Sequence, residues 1–382
     1  MVIRVAQVAT SPMSIRFLLL DQIERLRDDG YEVEAVSAPG PALEEVRDLG
    51  IPVQTVPLLR EPAPLADLRS IRALKELFTR RRYHVVHSHT PKAGLLAPLA
   101  ARLARTPIIL HTIHGLLFHD RTPPKTKPLG FACELWTARL AHRLLSQSRE
   151  DVGVVTRYRL RSSDRVEYIG NGIDVRRFSR DRVPEARSDV REQLGFADDA
   201  VVVGMVGRLV EEKGFREFVE AMARVMASRP KVRILLVAPD DPGQSDQIRP
   251  DRLLNRVDRS RVRHLGYRND LPDLYSAMDI FVLPSHREGI PRTVLEASAM
   301  ELPVVTSNIR GCREAVVDGL TGLLVEPRDP RGLAQGIKTL VDDAEERMRM
   351  GKAGRDHVVN EFDSGIVLDR LSAYYRRIVG AP

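Results

Sequence analysis

Short apolar, β-branched runs alternate with segments of helical spacing along nearly the whole chain, and the alternation restarts once near residue 200. That repetition leaves little choice of fold. Strand, helix, strand in series builds right-handed βαβ units, and hence a parallel sheet covered on both faces. Strands are predicted at 2–9, 32–37, 53–58, 84–89, 108–113, 144–148 and 166–169, with helices at 17–27, 68–81 and 92–104. A polar stretch at 175–199 reads as a linker with one short helix near 188–194. The second series has strands at 201–206, 232–238, 262–265, 280–284, 304–306 and 323–325, and helices at 215–226, 271–278, 293–300, 330–341, 344–358 and 364–378. The expected fold class is α/β, with two Rossmann-like doubly wound domains facing across a cleft. Their expected bounds are 1–175 and 176–363, with a C-terminal helix at 364–382 packing back on the first. In such sheets ligands bind outside the carboxyl ends of the strands, so chemistry should be sought there.

The 382-residue length suits two domains. No apolar run approaches the ~20 residues needed to cross a bilayer, and the N-terminus lacks a signal peptide's apolar core. Two cysteines, Cys133 and Cys312, exclude a disulfide framework. A reduced, cytosolic protein is expected. The net charge of +7 is unevenly spread: residues 1–170 carry 25 basic against 18 acidic side chains, and residues 171–382 carry 34 of each. A basic excess favours nucleic acid, anionic membrane or phosphorylated ligands. Aromatics at 5% and the lack of a stacking-rich basic strip argue against nucleic acid.

Three constellations follow predicted strand ends. The first is Gly207-Arg208-Leu209-Val210-Glu211-Glu212-Lys213-Gly214, between a strand and a helix. Glycine permits close backbone approach, a helix N-terminus attracts anions, and Arg208 and Lys213 suit a diphosphate. The same segment also reads as a turn with two ordinary surface cations, and it matches neither the Walker loop nor the dinucleotide fingerprint. The second is Glu288-Gly289-Ile290-Pro291-Arg292-Thr293-Val294-Leu295-Glu296. One acid sits in the loop and one inside the helix, placed to meet a sugar hydroxyl and a ribose diol. A capping acid and a solvated helix charge are the plainer alternative, as a surface charge is for Arg292. The third is a histidine group, His87, His89, His111, His114 and His119, read as polar cleft residues in preference to metal ligands.

Taken in order, these segments resemble glycosyltransferase family 4. The resemblance is strengthened by Asn171-Gly172-Ile173-Asp174, Leu283-Pro284-Ser285, Leu302-Pro303-Val304-Val305 and Asp318-Gly319-Leu320-Thr321-Gly322. His87-Ser88-His89-Thr90-Pro91-Lys92-Ala93-Gly94 and Gly311-Cys312-Arg313-Glu314 are similar to the branch that builds bacterial capsule, O-antigen and exopolysaccharide. The resemblance implies the GT-B fold and a retaining, metal-independent hexosyltransferase. The donor would be a nucleoside diphosphate sugar, UDP-sugar by preference, and the acceptor a hydroxyl of a glycan or polyprenyl-diphosphate-linked sugar. It implies catalytic roles for Arg208, Lys213, Glu288 and His114. Gly207, Tyr267, Arg268, Gly289, Ile290, Arg292 and Glu296 would bind the donor, and Ser11, Arg16, His89, Lys92 and Asn171 would lie on the acceptor side. No cofactor and no metal are implied, and no Asp-x-Asp occurs in the chain.

The sequence departs from the family pattern twice. The first loop, Thr10-Ser11-Pro12-Met13-Ser14, lacks the usual Gly-Gly pair, and Pro291 removes a backbone N–H after Glu288. A hydrolysing 2-epimerase of the same fold, and a transferase acting on a soluble small acceptor, are the alternative readings. Finally, residues 121–143 combine Lys125 and Lys127 with an apolar stripe of Phe131, Leu135, Trp136 and Leu140. A helix of that kind lies on an anionic membrane surface or packs into a core. The first option would place the protein peripherally on the inner face of the cell membrane.

Overall fold

The computed structural model describes residues 2–119, 122–183, 185–239 and 246–381. It divides into two compact units. One is Met1–Gly170 with Gly365–Pro382, and the other is Asn171–Ser364.

The first unit holds a seven-stranded sheet: β1 Arg4–Val8, β2 Glu32–Ser37, β3 Val53–Thr55, β4 Val85–Ser88, β5 Ile108–Ile113, β6 Arg143–Ser146 and β7 Val166–Tyr168. Its order is β3-β2-β1-β4-β5-β6-β7, with parallel pairing throughout. The second unit holds β8 Val201–Val206, β9 Val232–Val237, β10 Val262–Leu265, β11 Ile280–Leu283, β12 Val304–Ser307 and β13 Gly322–Val325. Its order, β10-β9-β8-β11-β12-β13, repeats that of the first, again all parallel. In each sheet the winding reverses beside the first strand, between β1 and β4 and between β8 and β11. That reversal opens a crevice at the strands' carboxyl ends.

The central strands are buried on both faces, which is why they read as unbroken apolar runs; every residue of β4 and β11 is buried. The helices bury one stripe each. Phe215–Met226 turns Phe215, Phe218, Val219, Met222 and Met226 inward, at the three- and four-residue spacing of one helix face. The first sheet has separate apolar layers on its two faces. The helices Pro64–Arg81 and Pro91–Leu103 supply one, and Leu20–Asp28 and Ser364–Val379 the other.

Several expectations need correction. The 175–199 stretch is not a linker. Val175, Phe178, Val190 and Phe196 are buried in the second unit's core, and the Arg191 guanidinium is buried with them. Arg191 Nη2 donates to Asp279 Oδ2 at 2.6 Å and its other nitrogens to the carbonyls of Ala277, Asp198 and Ala200. Four charged or polar residues in a row hid the apolar face. The compact second unit takes in Asn171 onward, with Ile173 fully buried there and bridged to Asp363. The first predicted helix starts early, at Pro12, and carries a π-helical turn over Ile15–Leu19. The wider turn follows directly on the segment Thr10–Ser14, and such turns often lie at functional sites.

Candidate active site

In the second unit, two loops meet over the β8–β11 crevice. Gly207 directly follows β8 and its N–H donates to the Val237 carbonyl at 3.0 Å. The chain then makes a tight turn, Glu211–Lys213, that ends on Gly214 at φ +77°. A side chain there would stand 2.1 Å from the Pro284 carbonyl oxygen, so only glycine lets this loop press against the one after β11. The contact delivers Lys213 to Glu288: Nζ donates to Oε1 at 2.6 Å, and Ser285 Oγ donates to the same oxygen at 2.7 Å. Behind them His286 N donates to the Glu212 carbonyl at 2.8 Å and Arg287 Nε to Glu212 Oε1 at 2.8 Å. Against the effect of its burial, Arg287 with Lys213 and Arg208 holds the Glu212 carboxyl below its usual range.

Glu296 lies deeper, on the helix Arg292–Ala299. It is buried, and burial pushes its carboxyl up, opposed by the Arg292 and Arg177 charges and by the Tyr275 hydroxyl. Tyr275 Oη donates to Glu296 Oε2 at 3.0 Å. Thus two glutamates eight residues apart occupy opposite surroundings. One is ion-paired at the mouth of the crevice and one is desolvated within it. Arg292 is the helix's first residue. Tyr267 is 57% exposed, and Arg268 is turned back to Asp270, Nε to Oδ1 at 2.8 Å.

In the first unit, β1, β4 and β5 bring a buried polar group together at their carboxyl ends. His89 Nε2 lies 2.6 Å from Gln7 Oε1, and His89 Nδ1 lies 3.1 Å from His114 Nε2. Gln7 Nε2 donates to the Tyr375 hydroxyl at 3.2 Å; that hydroxyl lies 2.7 Å from His87 Nδ1, and His87 Nε2 lies 2.7 Å from Thr112 Oγ1. Burial pushes the His114 ring down to about 4 and His111 to about 3, and holds His87 and His89 well below the usual range. All four rings are neutral at physiological pH. His87, His89 and His114 belong to a hydrogen-bonded polar floor, His111 lies 2.9 Å from Ser88 Oγ on the other face of the sheet, and no group of His, Cys, Asp and Glu able to hold a metal ion occurs among the described residues. Gln7 and Tyr375 escaped sequence reasoning, although a lone glutamine inside the apolar run Val5-Ala6-Gln7-Val8 was a signal.

The expected acceptor-side residues fare unevenly. His89 is in the floor. Ser11 precedes the helix Pro12–Ser14, with Ser14 N donating to its carbonyl at 3.0 Å, while Thr10 Oγ1 lies 2.9 Å from Thr90 Oγ1. Arg16 pairs with Glu45 at 3.3 Å and lies over the Phe17 ring. The Lys92 ammonium is buried against Asp67 at 2.6 Å and the Glu61 carbonyl. Asn171 belongs to the second unit, where its side chain reaches the loop after Glu288: Nδ2 donates to the Ile290 carbonyl at 2.9 Å. Of the apolar stripe on Lys127–Leu140, Phe131 and Leu135 pack into the core, whereas Leu129 (69%) and Trp136 (49%) are exposed. Arg121, at the edge of that segment, lies outside the described residues.

Comparison with known proteins accounts for both units. Residues 186–357 match the family model described as Glycosyl transferases group 1, and residues 17–172 match the Glycosyl transferase 4-like domain. The chain is 30% identical over 363 residues to the capsular polysaccharide biosynthesis glycosyltransferase CapM of Staphylococcus aureus, covering 94% of this chain and 93% of that one. It is 28% identical over 378 residues to the UDP-Gal:alpha-D-GlcNAc-diphosphoundecaprenol alpha-1,3-galactosyltransferase of Escherichia coli, covering 98% and 96%. Among solved structures, Anabaena Alr3699/HepE in complex with UDP and glucose superposes with a TM-score of 0.82 at 22% identity, over 98% of this chain and 100% of that one.

Proposed function

This chain belongs to glycosyltransferase family 4, and we propose that it transfers a hexose from a UDP-sugar to a hydroxyl of a polyprenyl-diphosphate-linked glycan, with retention at the anomeric carbon, in the synthesis of a bacterial surface polysaccharide. The observation that carries the reading is the Lys213–Glu288–Ser285 contact over the β8–β11 crevice. It sets a cation, a carboxylate and a hydroxyl within one hydrogen-bonded cluster. The lipid-linked acceptor is supported by the Escherichia coli relative, whose name specifies a diphosphoundecaprenol substrate.

In this reading the second unit binds the donor. Glu296 takes the ribose diol, Arg208 and Lys213 take the diphosphate, and Glu288 faces the sugar. The C–O bond to the diphosphate breaks ahead of attack, and positive charge develops on the anomeric centre. The acceptor oxygen enters on the face the diphosphate leaves, and its proton passes to a diphosphate oxygen. Because the leaving group gains charge in the transition state, Arg208 and Lys213 stabilise that state more than the ground state. On the first unit, the family resemblance gives His114 a role toward the donor sugar, and His89 Nδ1 lies 3.1 Å from its Nε2. The exposed Leu129 and Trp136, with Lys125 and Lys127 nearby in sequence, fit a membrane surface on which a lipid-linked acceptor would be met.

The test is turnover of a panel of nucleotide sugars with a polyprenyl-diphosphate sugar, in EDTA, for wild type and Lys213→Ala. Wild type is expected to transfer one UDP-hexose. Lys213→Ala is expected to keep its fold and lose 100- to 1,000-fold in kcat, about 2.7–4 kcal/mol of barrier. Near-normal transfer by the folded variant would sink the assignment, and epimer formed from UDP-GlcNAc alone would favour the epimerase.

A further inference from the structure

The loop after Glu288 is shaped from behind by two residues far away in sequence. The Gly289 carbonyl is pressed against Gly311, which has φ +77°; a Cβ on Gly311 would stand 1.3 Å from that oxygen. The next carbonyl, that of Ile290, accepts the 2.9 Å bond from Asn171 Nδ2, with both residues 5% exposed. Two successive carbonyls are thereby anchored on the inner side of the loop. A trans peptide points its N–H opposite to its C=O, so the Gly289–Ile290 peptide turns the Ile290 N–H away from Gly311. Among the described residues that N–H donates to no backbone or side-chain acceptor. The following peptide has no N–H, because residue 291 is proline. Ile290 therefore supplies the one outward donor of these two peptides, and its direction is set by what holds the carbonyls.

We propose that Asn171 and Gly311 are positioning residues that aim the Ile290 N–H at the diphosphate-sugar portion of the donor, rather than at the nucleoside. This rests on the reading of the second unit as the donor-binding one. It moves Asn171 from the acceptor side to the donor loop, and it explains how a chain with Pro291 keeps a backbone donor beside Glu288. Asparagine is required because the anchored group is a carbonyl, which needs a donor; the isosteric aspartate has none. Gly311 is required because the left-handed turn and the close approach both exclude a side chain.

The test compares wild type, Asn171→Asp and Gly311→Ala as full-length proteins by two measurements. Calorimetric titration with UMP and with UDP-hexose reads the ligand side. Hydrogen exchange of the ligand-free protein reads residues 285–295 against the rest of the second unit. Each variant is expected to bind UMP within twofold of wild type and UDP-hexose at least tenfold more weakly, and to exchange faster only at 285–295. Equal weakening of both ligands, or exchange that rises throughout the unit, assigns the two residues a general structural role and overturns the proposal. Unchanged exchange overturns it as well. Wild type that binds UMP but no nucleotide sugar defeats the donor reading and this proposal with it. Wild type that binds UDP-hexose beside variants with unaltered selectivity defeats the proposal alone.

Discussion

At the scale of single residues, identical side chains acquire different chemistry from their surroundings. Glu288 is paired with Lys213, while Glu296 is desolvated and held by a tyrosine. The histidines show the same effect at larger amplitude. His87, His89 and His114 face one another, Gln7, Thr112 and Tyr375, His111 meets Ser88 on the other face of the sheet, and burial keeps all four neutral. A base whose folded pKa is depressed binds its proton in the unfolded chain first. Its contribution to stability is whole above the unfolded value near 6.5 and is lost as pH falls toward the folded values of about 4 and 3. Urea unfolding of wild type is therefore expected to show less stability at pH 5.5 than at pH 7.5, by up to ~1.4 kcal/mol per pH unit for each such ring. An equal or greater stability at pH 5.5 would contradict the buried, neutral assignment.

At the scale of elements, hydrophobic periodicity gave most strands and helices to within a few residues, because a parallel sheet covered on both faces demands long apolar runs. It failed where charge is buried. The helix Ala186–Leu194 looks solvated in sequence, yet Arg191 is 2% exposed and saturated by Asp279 and carbonyls. Arg191→Met would leave the Asp279 carboxylate short of a partner and those carbonyls unsatisfied. We expect a loss of about 3–5 kcal/mol in chemical denaturation, with the loss falling on the second unit. A change under ~1 kcal/mol would show that Arg187, which also pairs with Asp279 at 2.6 Å, carries the site. Lys92 is a second charge whose partner lies far off in sequence: its ammonium is buried against Asp67.

For the whole molecule, the net charge of +7 resides in the sequence of residues 1–170, while residues 171–382 are balanced. A diphosphate site needs a few placed cations, not an excess, so under the proposed function the imbalance would serve a lipid-linked acceptor and the surface that carries it. Sedimentation with anionic vesicles is expected to retain the protein at low salt and release it at high salt, and Trp136→Ala to weaken retention several-fold. Binding that ignores both salt and vesicle charge would remove the membrane from the proposal. The sequence by itself determined the two doubly wound units, the family and the strand-end loops that hold the reactive residues, since all of these follow from local periodicity and motif spacing. Only the tertiary structure decided which polar groups are spoken for: Lys92 by Asp67, Arg16 by Glu45, Glu296 by Tyr275, and the Ile290 carbonyl by Asn171, 119 residues away. A hydrogen bond depends on position and direction to within a few tenths of an ångström, and for partners on different strands and loops those are fixed by packing and not by anything written in the neighbouring sequence.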